Sequence, residues 1–263
     1  MLQSGAPLSV AVIIPTYNER ENLQELTEAL LALPLTPPLW IIVVDDNSPD
    51  GTGELADRLA AEHPEVQVIH RRAKMGLGTA YTAGFRRALA LGAERVLTMD
   101  ADFSHSPSYI PLLLEASRTH GLVIGSRYVP GGGVRHWGLG RRLLSWGANA
   151  VARLLLGLRA HDCTAGYRCY RREVLLALDL DAIFADGYSY LIELLYRCQR
   201  KGFQIAEVPI IFTDRRRGAS KISRQEIFKA GGTVLRLAID RARQRWHRLA
   251  DGLLRVWFRR DIL

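Results

Sequence analysis

The stretch VAVIIPTYNERENLQELTEALLALPLTPPLWIIVVDDNSPDG, residues 10–51, decides the fold. Two short apolar runs, 10–14 and 41–44, flank a segment in which Leu23, Leu26, Leu30 and Leu33 recur at helical steps. Runs apolar at every position suit strands buried on both faces of a parallel sheet. A helix between two such strands is the crossover that parallel pairing requires. The pattern repeats outward. Further runs lie at 66–69, 96–99 and 122–124, separated by helically spaced sets such as Ala80, Gly84, Ala88 and Leu91, then Ile110, Leu113 and Leu114. This alternation predicts an α/β fold: a Rossmann-like, open, mostly parallel sheet flanked by helices, with its ligand site at the carboxyl edge of the strands.

Polar residues collect at that edge. The first strand runs into Pro15, Thr16, Tyr17, Asn18 and Glu19, the second into Asp45 and Asp46, the fourth into Asp100, Ala101 and Asp102, and the fifth into Ser126, Arg127 and Tyr128. Asp100 and Asp102 can aim two carboxylates at one hard cation, Mg²⁺ or Mn²⁺, with phosphate oxygens completing its shell. The chain contains its own control: Asp179 and Asp181 share the spacing but follow no strand, and are expected to form a solvated turn. Gly76 and Gly78 do not make the GxGxxG fingerprint, which argues against a nicotinamide site.

With 263 residues, 48% hydrophobic and 24% charged, the chain is too apolar for disorder and long enough for a substantial core. The formal charge of +8 implies a polyanionic partner: nucleic acid, an anionic membrane surface or a phosphorylated substrate. Cys163, Cys169 and Cys198 form no CxxC pair, so they are expected to be buried small hydrophobes in a reducing compartment. The N-terminal stretch lacks a basic n-region, and no run approaches the ~18 apolar residues of a spanning helix, so neither a signal peptide nor a membrane span is expected.

Beyond residue 130 a glycine-rich loop leads to an Arg-studded amphipathic helix over 141–156, a turn-like stretch at 161–166, a helix over 188–200 and a strand over 204–212. Leu235, Ile239, Ala242, Trp246, Leu249, Leu253 and Trp257 then form one apolar stripe, and residues 236–260 hold eight arginines against two aspartates. Such a helix either lies on anionic lipid or packs its stripe against protein. The expected organisation is a catalytic domain over 1–223 and a basic amphipathic helical extension over 224–263.

With these residues in hand, the chain resembles a family 2 glycosyltransferase of the GT-A fold, and within that family the polyprenyl-phosphate (dolichyl-phosphate) mannose synthases. The matching segments include IIPTYNERENL (13–23), VVDDNSPDGT (43–52), KMGLGTAY (74–81), MDADFSHSP (99–107), GSRYVPGG (125–132), DCTAGYRCY (162–170), GYSYLIELL (187–195) and EVPIIFTDRRRGASKIS (207–223). The resemblance implies that Pro15, Tyr17 and Glu19 line the nucleotide pocket and that Val44 and Asp46 meet the base or ribose. It implies that Asp100, Ala101 and Asp102 meet the diphosphate and metal, with Ser104 where some members carry Gln. Arg127, Arg215 and Lys221 fall on its phosphate-holding positions.

The implied reaction is metal-dependent, inverting transfer of mannose from GDP-mannose to a polyprenyl or dolichyl phosphate, at the cytoplasmic face of a membrane. A phosphate monoester is already anionic near neutral pH, so no general base is required. Asp102, Arg127, Arg215 and Lys221 would carry the catalysis. The same acceptor with another nucleotide sugar, such as UDP-glucose, stays open, as does a separate membrane subunit. Glu193 would either orient substrate or sit in a charge network; Asp162, with Thr164 and Arg168, would either form turn and salt-bridge contacts or touch substrate; His105 would either approach the sugar or diphosphate or be a plain loop histidine. A nucleic-acid-binding protein is the rival of different class; the acidic crevice and the lack of a recognised binding motif argue against it, so no nucleic acid partner is expected.

Overall fold

A computed structural model describes residues 9–185, 187–214 and 231–243. The opening stretch folds as expected. Strand β1 (Val10–Thr16) leads through helix α1 (Arg20–Leu31) to β2 (Trp40–Asp45), and α2 (Thr52–Glu62), β3 (Val66–His70), α3 (Leu77–Ala90) and β4 (Arg95–Thr98) continue the alternation. There follow α4 (Ile110–Ala116), β5 (Leu122–Ser126), β6 (Gly133–Arg135), α5 (Leu139–Leu156), β7 (Arg168–Arg171), α6 (Arg172–Ala177), α7 (Tyr188–Arg200), β8 (Ile205–Pro209) and β9 (Ile211–Thr213).

Seven strands form one sheet in the order β3-β2-β1-β4-β7-β5-β8. Every neighbouring pair is parallel except those made by β7, which runs antiparallel to β4 and β5. The period of two along β1 divides its side chains between two cores. Val10, Val12 and Ile14 join Leu23, Leu26, Leu55, Leu59 and Leu113 from α1, α2 and α4. Ala11 and Ile13 join Ala80, Tyr81 and Phe85 of α3 and Leu191, Leu194 and Leu195 of α7 on the other face. Helix α3 lies close to the sheet because Gly84 has no side chain: a Cβ there would stand 2.4 Å from Cγ2 of Ile13. The chain leaves β1 toward β2 on one side and returns to β4 on the other. This reversal opens a crevice above the ends of β1 and β4, where α/β sheets bind ligands.

Three local features depart from the sequence reading. Strand β7, RCYR, was not expected, because charged residues break the apolar pattern; Arg168 is nonetheless fully buried and donates to the carbonyls of Ala165, Cys163 and Leu191, each at 2.8 Å. The glycine-rich loop holds a short strand, β6, paired with β9. The single strand expected over 204–212 divides at Ile210, so that β8 completes the main sheet and β9 turns toward β6.

The three cysteines are free and buried. Burial pushes each thiol up to about 12, which suits inert core residues. Residues 231–243 are helical, and among them Val234 and Leu237 are buried in the core that contains α3 and α7, while Leu235, Ile239 and Ala242 of the anticipated stripe are exposed. The stripe beyond 243 lies outside the described residues. Among those described, no helix is long and apolar enough to cross a membrane.

Candidate active site

Short polar bonds lace the ends of β1 and β2 together. Asp45, buried, accepts from the Thr16 hydroxyl at 2.9 Å, the Ser48 hydroxyl at 2.6 Å and the Ser48 amide at 3.0 Å. The Ser48 hydroxyl accepts from the Asn18 amide, and that of Thr52 from the Glu19 amide, each at 3.0 Å. Asn18 and Asn47 adopt the left-handed backbone that Asn tolerates, with φ of 57° and 58°. Tyr17 faces Lys74, whose ammonium lies 4.2 Å from the ring centroid. Asp46 receives Arg71 at 2.6 Å and the Met75 amide at 3.2 Å, which fastens the 71–76 loop beside the crevice. Burial raises the Asp46 carboxyl above its ordinary value, against the pull of Arg71. Pro15 and Glu19 lie at the same edge; the side chain of Val44 is fully buried in the core with Ala11 and Ile13.

The acidic turn follows β4 directly. Asp102 is buried and accepts from the Ser104 amide at 3.1 Å, while Ala101 packs in the core. Phe103, between them, has φ 59°, a conformation costly for a bulky side chain and frequent at functional sites. His105 is buried, and desolvation lowers it to about 4 although Asp102 pulls the other way. It is therefore neutral near pH 7, and its Nδ1 accepts from the Asp100 amide at 3.1 Å. The control pair behaves as expected: Asp179 accepts from the Ala182 amide at 3.2 Å, and exposed Asp181 pairs with Arg86.

These residues fit a divalent cation. The Ser104 hydroxyl is buried without a hydrogen-bond partner beside Asp102, which is an expensive state for a polar oxygen unless it has a ligand. Two carboxylates and a hydroxyl are hard oxygen donors of the kind Mg²⁺ or Mn²⁺ takes alongside phosphate oxygens and water.

Across the crevice, Arg127 extends from the end of β5. Its Nε and Nη2 each reach the Asp162 carboxylate at 2.7 Å, and Nη2 also reaches the Thr164 hydroxyl at 2.8 Å. Asp162 is thus a salt-bridge residue. Burial alone would raise its carboxyl, yet the Arg127 charge and hydrogen bonds hold it below the ordinary value. The rings of Tyr128, Trp137 and Phe212 surround the guanidinium, with centroids 5.3, 5.5 and 5.6 Å from its carbon. A cavity of about 400 Å³ opens beside it, lined by Arg127, Tyr128, Arg142, Leu143 and Trp146 among others.

An aromatic chain joins the two halves. His105 stacks on Tyr167 at 5.0 Å and meets the Phe212 edge at 5.4 Å, and Phe212 meets Trp137 at 5.4 Å. The sequence reading missed Trp137, Phe212 and Arg141, which lies 4.1 Å over Trp137 and pairs with Asp214 at 3.0 Å. The only early signal was the clustering of Trp and Arg after a glycine-rich loop. Glu193 belongs to a charge network: it accepts from Arg197 at 2.6 and 2.8 Å and from the Ala185 amide at 3.0 Å. Arg215 and Lys221 lie outside the described residues.

A family model described as Glycosyl transferase family 2 matches residues 11–178. The chain belongs to glycosyl transferase family 2. It is a glycosyltransferase. Family 2 relatives include the polyprenol monophosphomannose synthase of Mycolicibacterium smegmatis, 50% identical over 238 residues, covering 88% of this chain and 89% of that one. The undecaprenyl-phosphate mannosyltransferase of Micrococcus luteus is 50% identical over 216 residues, covering 82% and 88%. Among solved structures, glucosyl-3-phosphoglycerate synthase from Mycobacterium tuberculosis shares the fold with a TM-score of 0.63 at 23% identity, over 88% of this chain and 80% of that one. A second structure of that synthase, in complex with Mn²⁺, UDP and glucosyl-3-phosphoglycerate, gives 0.63 at 22% identity over the same shares. The GT-A expectation is thereby met.

Proposed function

We propose that this glycosyltransferase moves mannose from GDP-mannose to a polyprenyl phosphate with inversion at the anomeric carbon, in a reaction that depends on Mg²⁺ or Mn²⁺. The observation that carries this reading is the meeting, within one aromatic chain, of the acidic turn 100–104 and the arginine-lined cavity: His105 and Phe212 connect them at ring separations of 5.4 Å or less. A site with carboxylates on one side and guanidinium on the other suits two anionic substrates, one delivered with a cation and one without. The names of the two half-identical relatives support mannose and a prenyl phosphate.

In this reading Asp100, Asp102 and Ser104 would hold the cation, which when bound would supply positive charge for the leaving nucleoside diphosphate. Tyr17, Glu19 and the loops fastened by Asp45 and Asp46 form the nucleotide side of the crevice. Arg127, held in one orientation by Asp162, presents positive charge to the acceptor phosphate, and Arg215 and Lys221 add to it. The acceptor oxygen forms a bond to C1 of the sugar as the bond from C1 to the diphosphate oxygen breaks. No proton is removed from the attacking oxygen, which agrees with Glu193 being engaged by Arg197 and Ala185. Attack on the face opposite the leaving group converts an α-linked donor into a β-linked product.

The lipid acceptor places the work at the cytoplasmic side of a membrane surface, with the basic residues of 236–260 adding electrostatic attraction. The test is a panel of labelled nucleotide sugars with a short polyprenyl phosphate and either cation. GDP-mannose is expected to label the extracted lipid most rapidly, with a β anomer by NMR; an α anomer, or faster transfer from a uridine donor, contradicts the proposal.

A further inference from the structure

Helix α5 is attached by a narrow strip. Only Asn149, Ala152 and Leu156 of its 18 residues are buried. The remaining surface is unusually apolar for one open to water: Leu139, Leu143, Trp146 and Leu154 are 77%, 69%, 63% and 82% exposed, and Leu144, Val151 and Leu155 are exposed beside them. Their positions fall on adjoining rows of one face and extend ~24 Å along the helix at 1.5 Å per residue. A contiguous apolar face of that extent marks an interaction surface.

Charge selects the occupant. Helix α5 contains Arg141, Arg142 and Arg153 and no acidic residue. Arg141 is paired with Asp214, which leaves the helix cationic through Arg142 and Arg153. A second copy of the same face would set arginine against arginine. The chain's own remaining segments are no better matched: residues 215–230 hold six basic residues against one acidic, and 244–263 five against two. An anionic lipid surface satisfies both features, taking leucine and tryptophan into the acyl boundary and arginine among its headgroups.

We propose that α5 is a membrane-docking helix that lies in the interface of an anionic bilayer. The helical residues 231–243 adjoin it: Arg241 donates to the Leu155 carbonyl at 2.9 Å at the end of α5, and Leu235 and Ile239 are exposed on that second helix. Leu143 and Trp146 belong at once to the apolar face and to the lining of the arginine cavity, so docking turns the mouth of that cavity toward the headgroups. That last consequence rests on the prenyl-phosphate reading above; the docking itself does not.

The test uses the full chain and its triple variant Leu144→Ser, Val151→Ser, Leu154→Ser, residues outside the cavity lining. Both are sedimented with phosphatidylcholine vesicles and with vesicles containing phosphatidylglycerol, and their melting and oligomeric state are measured alongside. The wild type is expected to prefer anionic vesicles. The variant is expected to bind them at least tenfold more weakly with unchanged melting, and to keep wild-type turnover on a short, water-soluble prenyl phosphate. Equal vesicle binding by both proteins overturns the proposal, as does a wild-type dimer that the variant dissolves. Loss of vesicle binding in the variant, with neither protein transferring sugar to a prenyl phosphate, supports the docking helix and overturns the acceptor reading instead.

Discussion

Arg127 and Asp162 hold one another through two parallel contacts of 2.7 Å, with their side chains only 9% and 0% exposed. Breaking a buried pair from one side strands a charge, at a cost of about 3–5 kcal/mol. The variant Asp162→Ala is therefore expected to lose about that much stability in urea unfolding and to raise KM for the acceptor phosphate more than KM for the donor. The pair also sets an acid limit. Asp162 has a folded value below its ordinary 3.8, so its contribution is complete above that value and is lost as pH falls through the folded one. Stability measured below pH ~4 should be less pH-dependent in Asp162→Asn than in the wild type.

The orphaned Ser104 hydroxyl separates a ligand from a packing residue. Deleting a buried hydroxyl that has no partner should leave folding stability unchanged or raise it by up to ~1 kcal/mol. If Ser104 contributes to the cation site, Ser104→Ala also shifts the Mn²⁺ concentration for half-maximal transfer upward severalfold. Asp102→Asn is expected to lower transfer at least 100-fold at saturating cation, and a chelator to silence the wild type.

Glu193 offers a contrast. A catalytic base would cost roughly 10²–10⁴-fold in rate on removal. Bound to Arg197 and to the Ala185 amide, it is expected instead to give a Glu193→Gln protein that melts at lower temperature, yet keeps kcat within a few-fold of wild type when assayed cold.

At Gly84 the prediction concerns the scaffold. A Cβ would meet the Ile13 side chain at 2.4 Å, so Gly84→Val must push α3 off β1 and should destabilise by about 1–3 kcal/mol in thermal unfolding. Gly92→Ala has no such neighbour; only its φ of 78° penalises the change.

Much of this was legible in the sequence because it is written in periodicity. Strands buried on both faces announce themselves as apolar runs, and β1, β2, β3, β4 and β5 stand within a few residues of where those runs lie. The position of Asp100 and Asp102 at the carboxyl edge was legible because they follow such a run, whereas Asp179 and Asp181 do not. Strand β7 was hidden: its place is set by long-range pairing with β4 and β5, and its buried Arg168 is satisfied by two carbonyls of the preceding turn, Cys163 and Ala165, and one of α7, Leu191. The aromatic chain from His105 to Trp137 was equally hidden, since it joins residues 105, 137, 167 and 212, which local spacing cannot associate. Helix α5 was legible as amphipathic, but not as a helix with most of its apolar surface turned outward. The division of labour at residues 231–243 ran against the stripe: Val234 and Leu237 hold the helix to the core while Leu235 and Ile239 face out.

One measurement bears on the central claim most directly: the purified full chain with radiolabelled GDP-mannose, Mg²⁺ or Mn²⁺ and a short polyprenyl phosphate, followed by counting of the organic extract. The account predicts label in the lipid phase that requires both the cation and the phosphate on the lipid, and that disappears in Asp102→Asn. Label that stays in the aqueous phase, or that passes equally to the unphosphorylated polyprenol, would contradict it.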